Sequence, residues 1–206
     1  MVFKKYFLIT LCLKAIIITG CGSSQLVDNQ KNVTREYFYY YYDAEDVVNE
    51  SPENPLTLSK LRLNLSDASK IEEVMDSITN RLTIHFQKSY VYADIKGIKN
   101  IKIGLIKFDM IKTEQRNFII ATIDIDDPEE VCMSYHFQGS AGGMQTYNRL
   151  GANLLQPSYE YPFIDGVIIL YKGLPMQPLD HINLNGILVP RFFEDVGYRA
   201  KLRDNN

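Results

Sequence analysis

Three cysteines among 206 residues are too few for a disulfide framework, so an apolar core has to hold the chain together. Histidine is as scarce: His85, His136 and His181 stand far apart and show no zinc-site spacing. Base is not in excess, with 22 Lys and Arg against 25 Asp and Glu, so no nucleic-acid partner is expected. The N-terminal apolar run from Tyr6 to Ile18 is shorter than the roughly 20 residues a membrane span needs, and Lys14 interrupts it. What is present is ordinary for a globular protein, 46% hydrophobic and 23% charged. That is enough for one domain with a real core.

The first residues follow another logic. Lys4 and Lys5 precede the apolar run, which ends in Ile18-Thr19-Gly20-Cys21. This resembles the lipobox of bacterial lipoprotein signals, in which small residues fit a peptidase cleft and the cysteine thiol takes a diacylglyceryl group. The expectation is a signal peptide over 1–20, lipid on Cys21, and a polar tether over 21–34. The mature protein would then sit outside the cytoplasm, anchored to a membrane by that lipid. Residues 1–20 carry Lys4, Lys5 and Lys14 and no acid, so cleavage moves the formal charge from −3 to about −6. Cys132 is left without a partner, and its strand-like apolar setting reads as a small buried hydrophobe.

From Arg35 onward the pattern is that of a single domain over 35–206. Glu36 to Tyr42 has strand propensity on both faces, and alternating leucines from Leu56 to Leu65 suggest a second extended segment. Ser69 and Glu72 have capping-box spacing ahead of Ile71, Val74, Met75, Ile78 and Leu82, an amphipathic helix. Asn100 to Met110 and Asn117 to Asp126 read as a hairpin turned at Lys112 to Gln115. Gly139-Ser140-Ala141-Gly142-Gly143 opens a second helix to Leu155 with Ser140 as its N-cap, and Ile164 to Tyr171 is a buried strand. A strand-helix-strand crossover from Asp126 to Val167 implies an α/β (α+β) two-layer sandwich, a mixed sheet with two helices on one face.

The strand Ile119-Ile120-Ala121-Thr122-Ile123-Asp124-Ile125, the Gly139-Ser140 helix start, Leu150, Leu154-Leu155-Gln156, and Ile164-Asp165-Gly166-Val167-Ile168-Ile169-Leu170 with Gly173 resemble the GerMN domain of sporulation and germination lipoproteins. The first half is similar through Tyr37-Phe38-Tyr39 and the helix from Ser69 to Leu82. The resemblance covers roughly 36–176 and leaves a C-terminal extension. It implies a fold similar to ring-building motif domains and a non-catalytic role in assembly with other envelope proteins or with itself. It carries over no catalytic residue, because the shared positions are core and turn positions, and it brings no cofactor.

Other chemistries have thinner support. Ser140 with His181 as base would make a lipid-anchored hydrolase, but the string is not the Gly-x-Ser-x-Gly of a nucleophile elbow. Gly139, Ser140 and Gly142 are more simply a helix start or an interaction loop. Tyr37 to Tyr42 would serve a carbohydrate if the rings lay exposed; packing is the preferred reading. Asp124, Asp126, Asp127, Glu129 and Glu130 lack calcium-loop spacing and read as a solvated strand exit. His85 reads as a surface or helix-end residue.

Overall fold

In the computed structural model the described residues are 36–42, 57–65, 69–88, 95–156, 163–180, 182–190 and 201–202. Cys21, the lipobox and the tether lie outside them, as does His181. Arg35 to Asn206 forms one compact unit.

The apolar spacing after Ser69 closes into α1 (Ile71–Lys88), which buries Val74, Met75, Ile78, Leu82 and Phe86 on one face. The helix runs beyond Leu82 because Phe86 continues the i+4 series. The capping pair is displaced by one residue from the expected one: Glu73, not Glu72, reaches back to accept the N–H of Lys70 at 3.2 Å.

The hairpin is β3 (Lys102–Lys112) and β4 (Asn117–Asp126). Its turn is closed by Thr113, whose N–H and hydroxyl both donate to the carbonyl of Arg116. After β4 come a short α2 (Val131–Tyr135) and the long α3 (Ser140–Leu155), and then β5 (Gly166–Tyr171) returns parallel to β4. Lys172 and Gly173 at φ 53° and 74° make the tight turn to β6 (Leu174–Pro175), as a two-residue hairpin with positive φ at both positions requires. β7 (Ile187–Leu188) pairs with the other end of β5. The sheet order is β3-β4-β5-β6, mixed, with β7 beside β5.

The architecture is α+β. Ile103, Ala121, Ile123, Ile125, Val167 and Ile169 form one face of the five-stranded sheet and share a core with Val74, Met75, Ile78, Leu82 and Phe86 of α1 and with Tyr147, Leu150, Leu154 and Leu155 of α3. The chain after β6, expected as an extension, belongs to that core through Met176, Ile182, Leu184 and Leu188.

The first strand goes elsewhere. β1 (Phe38–Tyr41) pairs antiparallel with β2 (Thr57–Arg62), which pairs parallel with the two-residue β8 (Lys201–Leu202), giving a second, smaller sheet. It packs on α3 through Tyr40, Tyr42, Leu58 and Ala152. The helix is therefore buried from Thr146 to Gln156 on every side rather than along a stripe.

Two carboxamides close the outer edge of β1. Asn153 accepts the N–H of Tyr40 at 3.0 Å and donates to its carbonyl at 2.8 Å. Gln156 does the same for Phe38, at 2.9 and 2.8 Å. Together they occupy the outer edge of β1 as a neighbouring strand would. Replacing Asn153 by Ala strands the buried N–H and C=O of Tyr40, so urea unfolding of Asn153→Ala is expected to show a loss of about 3 kcal/mol.

Candidate functional site

The side chains with chemical potential gather where β4 leaves the sheet. The acidic stretch there divides by role. Asp127 is fully buried, and its carboxylate accepts the N–H of Val131 at 3.0 Å, the N–H of Cys132 at 2.7 Å and the hydroxyl of Tyr171 at 2.7 Å. Asp124 accepts the N–H of Gly173, Glu129 the side-chain amide of Asn100, and Glu130 the Lys172 ammonium. A solvated strand exit does not describe Asp127: it is the internal anchor of α2 and of the β5 end. Burial and the neighbouring Asp127 push both the Tyr171 hydroxyl and the Cys132 thiol far up from their ordinary range, so neither ionises near neutrality. Cys132 is completely buried, an apolar filler as its surroundings in the sequence suggest.

His136 follows α2 and stacks on the ring of Phe86, centroids 4.3 Å apart. Its Nε2 lies 3.3 Å from the Phe86 carbonyl, which can only accept, so that nitrogen carries the proton. Burial lowers its pKa to about 4, against the opposite pull of the Phe86 carbonyl. His85 is a helix-end residue, half-buried in the last turn of α1, and burial, reinforced by Arg149 and His136, lowers it to about 3. Arg149 is itself buried on α3 and lies over the Tyr42 ring at 5.4 Å.

The glycine-rich start of α3 is a backbone device. Gly139, not Ser140, is the N-cap, at φ 73° and ψ 155°, a region open in practice only to glycine. Ser140 is the first helical residue, and Gly142 sits in the first turn with open space around it. Gly143 comes closest to other atoms, since a Cβ there would lie 3.3 Å from the Phe137 carbonyl. The hydrolase pairing of Ser140 with His181 involves a residue outside the described ones. Tyr37, Tyr39, Tyr40 and Tyr42 are all buried, so they form packing rather than an exposed carbohydrate platform. Among the described residues no cluster of His, Cys, Asp and Glu is arranged to hold a metal ion, and no helix is long and apolar enough to cross a membrane.

Two residues fix how β5 sits in the sheet. Asp165 accepts the Ile119 N–H at 2.8 Å, donates its own N–H to the Ile119 carbonyl at 2.8 Å and pairs with Arg116 at 3.1 Å, setting the start of β5 against β4. Gly166 admits no side chain, because a Cβ would lie 2.5 Å from Ile187 Cγ2. The sequence does not single out Asn153, and it marks Gln156 only within the Leu154-Leu155-Gln156 stretch. Their signal was two amides set i, i+3 among Ala152, Leu154 and Leu155. Comparisons with family models, curated proteins and solved structures return no match for this chain.

Protonation of the two histidines sets an acid limit. The unfolded chain takes up these protons near pH 6.5, while folded His136 resists until about pH 4 and His85 until about 3. Stability from this source is complete above pH 6.5 and falls as the pH drops through the folded values, by about 3 kcal/mol for His136. Denaturant midpoints between pH 7 and 4 are expected to show this fall, with a shallower slope in His136→Gln. Gly139→Ala, which must hold alanine in a glycine-only conformation, is expected to cost about 2 kcal/mol at any pH in the same assay.

Proposed function

We propose that the chain is a lipoprotein held at a cell membrane by lipid on Cys21, carrying a GerMN-like, non-catalytic domain that joins other envelope proteins or further copies of itself. The observation that carries the reading is the Ile18-Thr19-Gly20-Cys21 string at the end of a basic-then-apolar leader, followed by a polar segment and a compact domain. Lipid at that cysteine gives the domain an address, and the segment over 22–34 gives it reach above the surface.

The assembly role is supported by how the domain uses its reactive side chains. Asp127 is bound to two backbone N–H groups and a phenol, His136 is held against Phe86, and the Cys132 thiol is buried and kept protonated. Each of these groups holds an element in place. The resemblance through Ile119 to Ile125 and Ile164 to Gly173 adds to this, since those residues serve as strand, turn and close-packing positions.

Metabolic labelling with a fatty-acid analogue tests the anchor. The wild-type chain is expected to label and to partition into detergent, and Cys21→Ala to lose both properties. Equal labelling of the two would remove the anchor from the reading.

A further inference from the structure

β3 is the outermost strand of the five-stranded sheet, and its outer edge is treated differently at its two ends. At the beginning, α1 covers it. Thr83 accepts the N–H of Ile103 at 2.8 Å and donates to its carbonyl, and Gln87 donates to the carbonyls of Lys99 and Ile101. Beyond Ile103 this cover ends.

The facing of the remaining backbone groups follows from the register. Ile119 uses both its N–H and its C=O on the Asp165 side, away from β3, so its partner Met110 also points its own groups away, outward. By the same alternation Phe108 opposite Ala121 and Leu105 opposite Ile123 face outward, the bulge between Leu105 and Lys107 having added one residue. Among the described residues these backbone groups of Leu105, Phe108 and Met110 meet no partner. Beside them, Ile106 and Met110 are 57% and 59% exposed.

A free edge invites a strand, and the charges on it select which one. Lys107 and Asp109 stand on the same face, paired with each other at 2.9 Å and both well exposed. An antiparallel second copy centred on Lys107 would oppose lysine to lysine, and one centred on Asp109 would oppose aspartate to aspartate. Centred on Phe108, it opposes each Lys107 to Asp109 of the other copy. The outward groups then match as well, Phe108 to Phe108 and Met110 to Leu105, and the stretch ends where Thr83 covers Ile103. A lysine and a bulge on an edge discourage indiscriminate pairing. This register is the one that answers both.

We propose that two copies of this chain join antiparallel along β3 between Leu105 and Met110, about a two-fold axis at Phe108, extending the five-stranded sheet across the pair. This deepens the assembly role proposed above and rests on it for one element only: so short an edge makes a small, weak interface, and confinement at a membrane raises the effective concentration that such an interface needs.

Sedimentation equilibrium of the full chain in a mild detergent, from about micromolar to about millimolar, tests it. The wild-type chain is expected to show a reversible monomer–dimer equilibrium. Asp109→Lys alone and Lys107→Asp alone place like charges opposite one another, and each is expected to weaken the dimer about tenfold or more. An equimolar mixture of the two variants restores opposite charges at every position and is expected to return to wild-type affinity. Both are surface changes that leave the core intact. A wild-type chain that stays monomeric, association that neither variant weakens, or a mixture no tighter than the variants alone would overturn the pairing. None of those results touches the fatty-acid labelling of Cys21, so a failure of the edge and a failure of the anchor are told apart.

Discussion

A strand at the rim of a sheet exposes a row of N–H and C=O groups, and burying such a rim without partners costs more than most packing returns. The arrangement of this domain follows from how it meets that constraint. α3 presents Asn153 and Gln156 to β1, each amide matching one donor and one acceptor of the backbone, and α1 presents Thr83 and Gln87 to the start of β3. Side chains on helices thus do what strands would otherwise do. β1 cannot join the larger sheet, because α3 already holds its outer groups. The helix becomes an inner layer with apolar neighbours on all sides, and Gln156 is kept at φ 50°, an uncommon conformation for a long side chain, in the position where its amide reaches Phe38.

A second constraint acts at the other end of α3. The chain must leave β4, turn and climb into a helix while burying several N–H groups, and Asp127 receives two of them together with the Tyr171 hydroxyl. A buried carboxylate is tolerable only with that many donors. The same enclosure that makes Asp127 effective keeps His136 neutral and Cys132 protonated. Apart from the half-buried Tyr171 the cluster is enclosed, and its hydrogen bonds hold three elements together.

Much of this was legible in the residues, for a definite reason. Periodicity reports burial on one face, so α1, the β3–β4 hairpin and the parallel return of β5 can be read from Ile71 to Leu82, Asn117 to Asp126 and Ile164 to Tyr171. Where burial is two-sided or partners are distant, periodicity is silent. α3 is buried all round, so its stripe of Tyr147, Leu154 and Leu155 marked only one of its interfaces, and the second sheet on its other side went unread. The tail through Ile182 and Leu184 has no regular spacing, because it is irregular chain pressed on the core. Acids are usually solvated, so residue type alone points Asp127 outward; what encloses it are N–H groups at the start of α2 and a phenol 44 residues away. Residue preference favours Ser140 at the cap, and backbone conformation puts Gly139 there instead.

The division between inner and outer polar groups bears on the proposed role at the envelope. The strand-edge backbone groups that the helices cover are matched by Asn153, Gln156 and Thr83, while the exposed ion pairs, Arg62 with Glu36, Lys107 with Asp109 and Lys172 with Glu130, are the kind that add little to stability. Such pairs are free to exchange partners at small cost. A domain tethered by lipid, as proposed for this chain, would meet neighbours confined to the same surface, where a modest interface suffices and a strong one would aggregate the layer. An edge that is closed by Thr83 at one end, bulged in the middle and charged on its face suits that requirement: it has backbone groups to offer, and only a strand of matching register and charge can take them.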